Sequence, residues 1–153
     1  MERIRSIDEF AVGYEQSERR LVTDAAVRAF AEVSGDHNRI HLDEEYARST
    51  RFGRRIAHGA LLGAYISKVL GMELPGPGAV YLSQTLEFLA PVYVGDEISL
   101  TVRVRAVEHD ARVLVLENVV RGQAGNEVAT GVSRVKLPKG PRATAQRTGS
   151  EGT

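Results

Sequence analysis

Residues 60–70, Ala-Leu-Leu-Gly-Ala-Tyr-Ile-Ser-Lys-Val-Leu, are apolar on nearly every side of a helix and are bounded by Gly59 and Gly71. A helix that is apolar all round is a buried helix. The run is too short, and too mixed at Gly63, Ser67 and Lys68, to span a bilayer. In a chain of 153 residues, the size of one ordinary domain, something must wrap it.

The wrapping material follows in the sequence. After the turn-rich Leu74-Pro75-Gly76-Pro77-Gly78, hydrophobicity switches to period two. Val80, Leu82, Leu86 and Phe88 alternate with Tyr81, Ser83, Thr85 and Glu87. Ile98, Leu100, Val102 and Val104 alternate with Ser99, Thr101, Arg103 and Arg105. His109-Asp110 marks a hairpin, followed by strands over 112–121 and 128–137 with a turn at 122–126. Four consecutive strands with short connections imply an antiparallel sheet. Upstream, Thr23 is an N-cap, Asp24 suits the positive end of the helix dipole, and Val27, Phe30, Ala31 and Val33 recur at helical spacing until Gly35. Asp43 opens a short helical turn, and residues 14–19 read as an edge strand. The expected architecture is α+β: a strongly curved antiparallel sheet around a central buried helix. It forms one domain over 1–137, with a disordered tail over 138–153 that is rich in Pro, Gly, Thr, Ser and Arg.

Twenty basic residues balance twenty acidic ones, which argues against a nucleic-acid partner. The absence of cysteine excludes disulfides, thiolate metal sites and cysteine nucleophiles. The N-terminus has no apolar run of the signal-peptide kind, so a cytoplasmic protein without a membrane partner is expected.

Chemistry-bearing residues gather in Ser34-Gly35-Asp36-His37-Asn38-Arg39-Ile40-His41-Leu42-Asp43. His58-Gly59 stands just ahead of the buried helix, whose start presents free N–H groups. A carboxylate and an imidazole facing such donors are suited to acid–base chemistry beside a carbonyl. Each residue also has a plainer role. Asp36 can cap a turn, His41 can be an ordinary inward histidine between Ile40 and Leu42, and His58 can pack at the helix start. His37 and His109 read as surface residues. His37 and His41 have the i, i+4 spacing of zinc ligands, with His58 or Asp43 to complete a set. That spacing needs a helix, against which Gly35 and Asn38 argue, so no metal is expected.

Read together, residues 30–43 and Phe52-Gly53-Arg54-Arg55-Ile56-Ala57-His58-Gly59 resemble MaoC-like, (R)-specific enoyl-CoA hydratases and dehydratases, over roughly 21–137. The motif is Asp-x-Asn-x-x-His-x-Asp with a downstream His-Gly. The resemblance implies the hot-dog fold, a homodimer with its sheets side by side or a higher homo-oligomer, and Asp36 and His41 as the catalytic pair. It gives Gly59 as the oxyanion donor, with Asn38, Ser67 and His58 in support. It also implies reversible hydration of trans-2-enoyl-CoA to (R)-3-hydroxyacyl-CoA, with no cofactor beyond the coenzyme A or acyl-carrier arm of the substrate. Arg51, Arg54 and Arg55 are candidates for the phosphates of that arm. Arg39 stands where many members have proline, which implies a less rigid and more polar loop. The alternatives are a 3-hydroxyacyl-ACP dehydratase, a hot-dog thioesterase and a non-catalytic acyl-thioester binding subunit.

Overall fold

The computed structural model of the protein describes residues 3–139, so the expectation for 138–153 falls, but for Pro138 and Lys139, outside the described residues. Five strands, β1 (Glu15–Leu21), β2 (Val80–Phe88), β3 (Glu97–Glu108), β4 (Val113–Arg121) and β5 (Glu127–Lys136), form one sheet in the order β1-β3-β4-β5-β2, with every neighbouring pair antiparallel. Among the described residues four α-helices accompany it: α1 (Asp24–Ser34), α2 (Arg39–Leu42), α3 (Glu44–Arg48) and α4 (Gly59–Met72). This is the hot-dog arrangement. The core runs from Ile7 to Leu137 and centres on α4, whose Leu61, Leu62, Tyr65, Ile66, Val69 and Leu70 are buried.

The central strands behave as their alternation predicts. Ile98, Leu100, Val102 and Val104 of β3 face inward beside Leu114, Leu116 and Val120 of β4. β2 does not. It leaves Val80, Leu82 and Phe88 about half exposed, and Leu86 is its most covered apolar residue. Two causes act. The chain skips the neighbouring position, so β2 pairs with β5 rather than with β3 and becomes an edge. A register shift between Tyr81 and Ser83 also breaks the alternation at Leu82. A long apolar edge strand is a surface that folded proteins normally cover.

α4 is less uniformly buried than its composition suggests. Ala60, Ala64, Ser67 and Gly71 form an exposed stripe, while Leu86 of β2 reaches over Gly63. No helix among the described residues is long and apolar enough to cross a membrane.

Candidate active site

Local chemistry builds the site from two short segments. α1 stops at Gly35, which adopts the left-handed conformation (φ 79°) and donates its N–H to Ala31 O. The chain then turns through Asp36, whose Oδ1 accepts the Asn38 N–H at 3.1 Å. Asn38 in turn caps α2, its Oδ1 accepting from the Ile40 N–H at 3.3 Å. Asn38 therefore braces the loop between Asp36 and α2. Arg39 occupies the first position of α2, where proline is tolerated because that N–H has no helical partner. Its guanidinium bonds Asp43 at 2.7 and 3.0 Å, so this chain holds by an ion pair a turn that proline would hold by its ring.

The single turn of α2 carries His41 inward, to 9% exposure. Its Nδ1 donates to Ile56 O at 2.8 Å. That bond sets the tautomer and leaves the Nε2 lone pair free. Nε2 lies 4.0 Å from Asp36 Oδ2, and the Asp36 side chain is half exposed. Burial holds the His41 pKa below its ordinary 6.5. The Ile56 carbonyl and the Asp36 charge act in the opposite direction, while His58 and Arg55 reinforce the lowering.

His58 is buried beneath this pair. Its Nε2 donates to the Asp36 main-chain oxygen at 3.0 Å, its ring stacks on His41 at 3.8 Å between centroids, and Phe30 of α1 packs against it at 4.8 Å. His58 Nδ1 has no partner. Residues 56–58 thus clamp 36–41 at three points, since Ile56 N–H also donates to Ile40 O at 3.3 Å.

His58 is also the N-cap residue of α4, which makes Gly59 the first residue of the helix, with an N–H that the helix cannot satisfy. The Phe88 ring lies against Gly59 so closely that a Cβ there would stand 2.7 Å from Cε1 and Cζ. A cavity of about 410 Å³ opens here, walled by His41, His58, Gly59, Phe88, Arg51 and Phe52 among others. Asp36 is not part of its wall.

The remaining expectations divide. Arg51 lines the cavity, its guanidinium over the Phe52 ring at 4.8 Å. Arg54 lines a neighbouring cleft, stacked on Tyr93 at 4.0 Å and 3.7 Å from Asp96. Arg55 turns away from the cavity. Its side chain is largely covered, with Nε donating to His41 O at 2.6 Å and Nη1 2.7 Å from Asp24 Oδ1. Ser67 is not brought to the pair. It sits eight residues along α4 from Gly59, roughly 12 Å of helix rise, on the exposed stripe and outside the cavity wall. His37 turns away to Glu32 at 2.8 Å, whose carboxylate raises its pKa, and His109 is exposed beside Asp8.

The segment holding His41 is helical after all, but His37 lies outside it, so the i, i+4 pair does not converge. Asp36, His41 and His58 do offer three donor atoms within 4.8 Å of one another. Both imidazoles already spend one nitrogen on a carbonyl, and their rings are stacked at 3.8 Å with planes 29° apart, so lone pairs lying in those two planes are poorly placed to meet at one ion. The arrangement suits proton transfer better than a resident metal. Sequence reasoning missed the Ile56 carbonyl that orients His41 and the Phe88 ring against Gly59. A main-chain acceptor has no residue signature, and the ring's place depends on β2 running at the edge.

The family model of the MaoC like domain matches residues 9–131. A 3-hydroxybutyryl-CoA dehydratase of Methylorubrum extorquens is 42% identical over 138 residues, covering 90% of this chain and 87% of that protein. An (R)-specific enoyl-CoA hydratase of Aeromonas caviae is 45% identical over 114 residues, covering 74% and 85%. Among solved structures, the (R)-hydratase from A. caviae involved in PHA biosynthesis superposes with a TM-score of 0.82 at 41% identity, covering 84% of this chain and 98% of that one. An unliganded R-hydratase from Pseudomonas aeruginosa does so with a TM-score of 0.83 at 37% identity, covering 88% and 86%.

Proposed function

The chain belongs to the MaoC-like domain family, and on that premise we propose that it is a hydro-lyase adding water reversibly to trans-2-enoyl-CoA thioesters to give (R)-3-hydroxyacyl-CoA. The observation that carries this reading is the His41 Nε2 lone pair, free and 4.0 Å from Asp36 Oδ2, beside the unsatisfied N–H of Gly59. Two hydrogen bonds of about 2.8 Å meeting at one water oxygen span that gap at an angle of about 90°. The relatives named above as a 3-hydroxybutyryl-CoA dehydratase and an (R)-specific enoyl-CoA hydratase support the substrate class and the stereochemistry.

In this mechanism the thioester oxygen accepts from the Gly59 N–H. Asp36 and His41 hold the water, and Nε2 of His41 takes one of its protons. The hydroxyl adds to C3, charge moves to the thioester oxygen as an enolate, and His41 returns the proton to C2. The atoms of one water are thereby added, with no redox partner or cofactor required. A pre-aimed donor binds the enolate more strongly than the neutral carbonyl, an effect of order 10² to 10³ in rate. Burial favours the neutral form of His41, the form a base needs. Arg51 lines the cavity and Arg54 the next cleft, which supports them as the cations that would meet a phosphate of the coenzyme A arm.

We infer further that the exposed apolar edge of β2 is covered by β2 of a second copy, giving a homodimer, and that the protein works in the cytoplasm, where acyl-CoA is made and used. Incubation with crotonyl-CoA tests the reading. Loss of the enoyl absorbance with (R)-3-hydroxybutyryl-CoA as product supports it, whereas release of free thiol without hydration replaces it with a thioesterase.

A further inference from the structure

Arg55 lies outside the cavity wall, yet it touches the site from behind. Its Nε donates to the main-chain oxygen of His41 at 2.6 Å, and its Nη1 lies 2.7 Å from Oδ1 of Asp24, the first residue of α1. Arg28 holds the same carboxylate at 3.0 and 3.1 Å. Only 11% of the Arg55 side chain is exposed, and its Nη2 is buried without a partner. The next residue in sequence, Ile56, takes the His41 ring by its carbonyl. Two consecutive residues therefore grip one histidine, one by its backbone and the other by its ring.

We propose that Arg55, anchored by Asp24, is a positioning residue for His41, fixing the catalytic turn against the start of α1 and placing a permanent positive charge behind the imidazole. The proposal rests on the hydratase reading for its catalytic meaning. A guanidinium fork can hold a carbonyl and a carboxylate at once, whereas a lysine ammonium is a single point charge on a flexible stem. The charge opposes protonation of His41, in the same sense as burial and His58 and against Asp36 and the Ile56 carbonyl. Asp36, His58 and Arg55 are the titratable or charged groups facing His41 from the loop after α1, the start of α4 and the segment ahead of it.

The experiment uses Arg55→Met, Arg55→Lys and Asp24→Ala in the full-length protein, with two readouts. One is the His41 titration midpoint by NMR on ¹⁵N-histidine protein, its signal assigned by its absence in His41→Gln. The other is kcat and KM for crotonyl-CoA hydration. Arg55→Met is expected to raise the His41 midpoint and to lower kcat by about tenfold or more, the loss of one charge-assisted hydrogen bond, with KM changed less. Arg55→Lys is expected not to restore kcat. Asp24→Ala should lower kcat in the same way by less, and add nothing to Arg55→Met. An unchanged midpoint and kcat in Arg55→Met overturn the proposal. If that variant fails to fold, a parental kcat in the Asp24→Ala protein overturns it instead. A parent that does not hydrate crotonyl-CoA overturns the hydratase reading, while the NMR midpoint still decides the role of Arg55.

Discussion

The ring of Phe88 rests on the Cα of Gly59 at a separation that leaves no room for a side chain, since a Cβ would lie 2.7 Å from two ring atoms. This contact puts an aromatic wall at the proposed oxyanion donor and shapes the first test. Gly59 is the first residue of α4, where proline fits without the loss of a helical bond. The preceding His58 is extended (φ −61°, ψ 132°), as a residue before proline must be. With Phe88→Ala relieving the clash, Gly59→Ala keeps the N–H and Gly59→Pro removes it. The double variant with proline should turn over crotonyl-CoA about 10² to 10³ more slowly than the one with alanine. Equal rates in the two would move the donor elsewhere.

The pH dependence follows from the sign of the His41 shift. As a base His41 must be neutral, so activity is lost as pH falls through its folded pKa. Burial holds that value below 6.5, so the acid limb of kcat/KM should lie below pH 6.5. Stability carries the same sign. Once the pH drops under 6.5, the unfolded chain takes a proton that the folded one still refuses, so the fold's advantage shrinks on acidification. A pH–rate profile over about pH 5 to 8, the range in which histidine titrates, checks this. An acid limb at or above 6.5 counts against His41 as the base.

The edge of β2 yields a test of assembly. Val80 and Leu82 are 56% and 48% exposed, on a strand paired on one side only. If a second copy covers them, the protein sediments at twice the chain mass, and Leu82→Glu shifts it toward the monomer by burying a charge without a partner. A parent protein sedimenting as a monomer at micromolar concentration would contradict the shared edge.

Much of this fold was legible because period and capping agree along the chain. Thr23 and Gly35 bound α1 as their chemistry predicts, and β3 buries the alternate residues its pattern names. The apolar run at 60–70 announced a central helix, which the sheet does wrap. The position of β2 was not legible, because alternation says which face a residue takes and not which strand lies beside it. The gathering of Asp36 and His41 ahead of α4 was legible through the motif. The inward turn of Arg55 was not, since the sequence shows a cation near the site without showing which way it points. Here it turns inward, drawn between two oxygens, one on α2 and one on α1.

The most direct test of the central claim is the rate of crotonyl-CoA hydration by Asp36→Asn and His41→Gln, each confirmed as folded by circular dichroism. Each removes one of the two groups proposed to hold the water, of which His41 is also its base, so each should lower kcat by about 10² or more. Near-parental turnover in either variant would contradict the assignment of that pair.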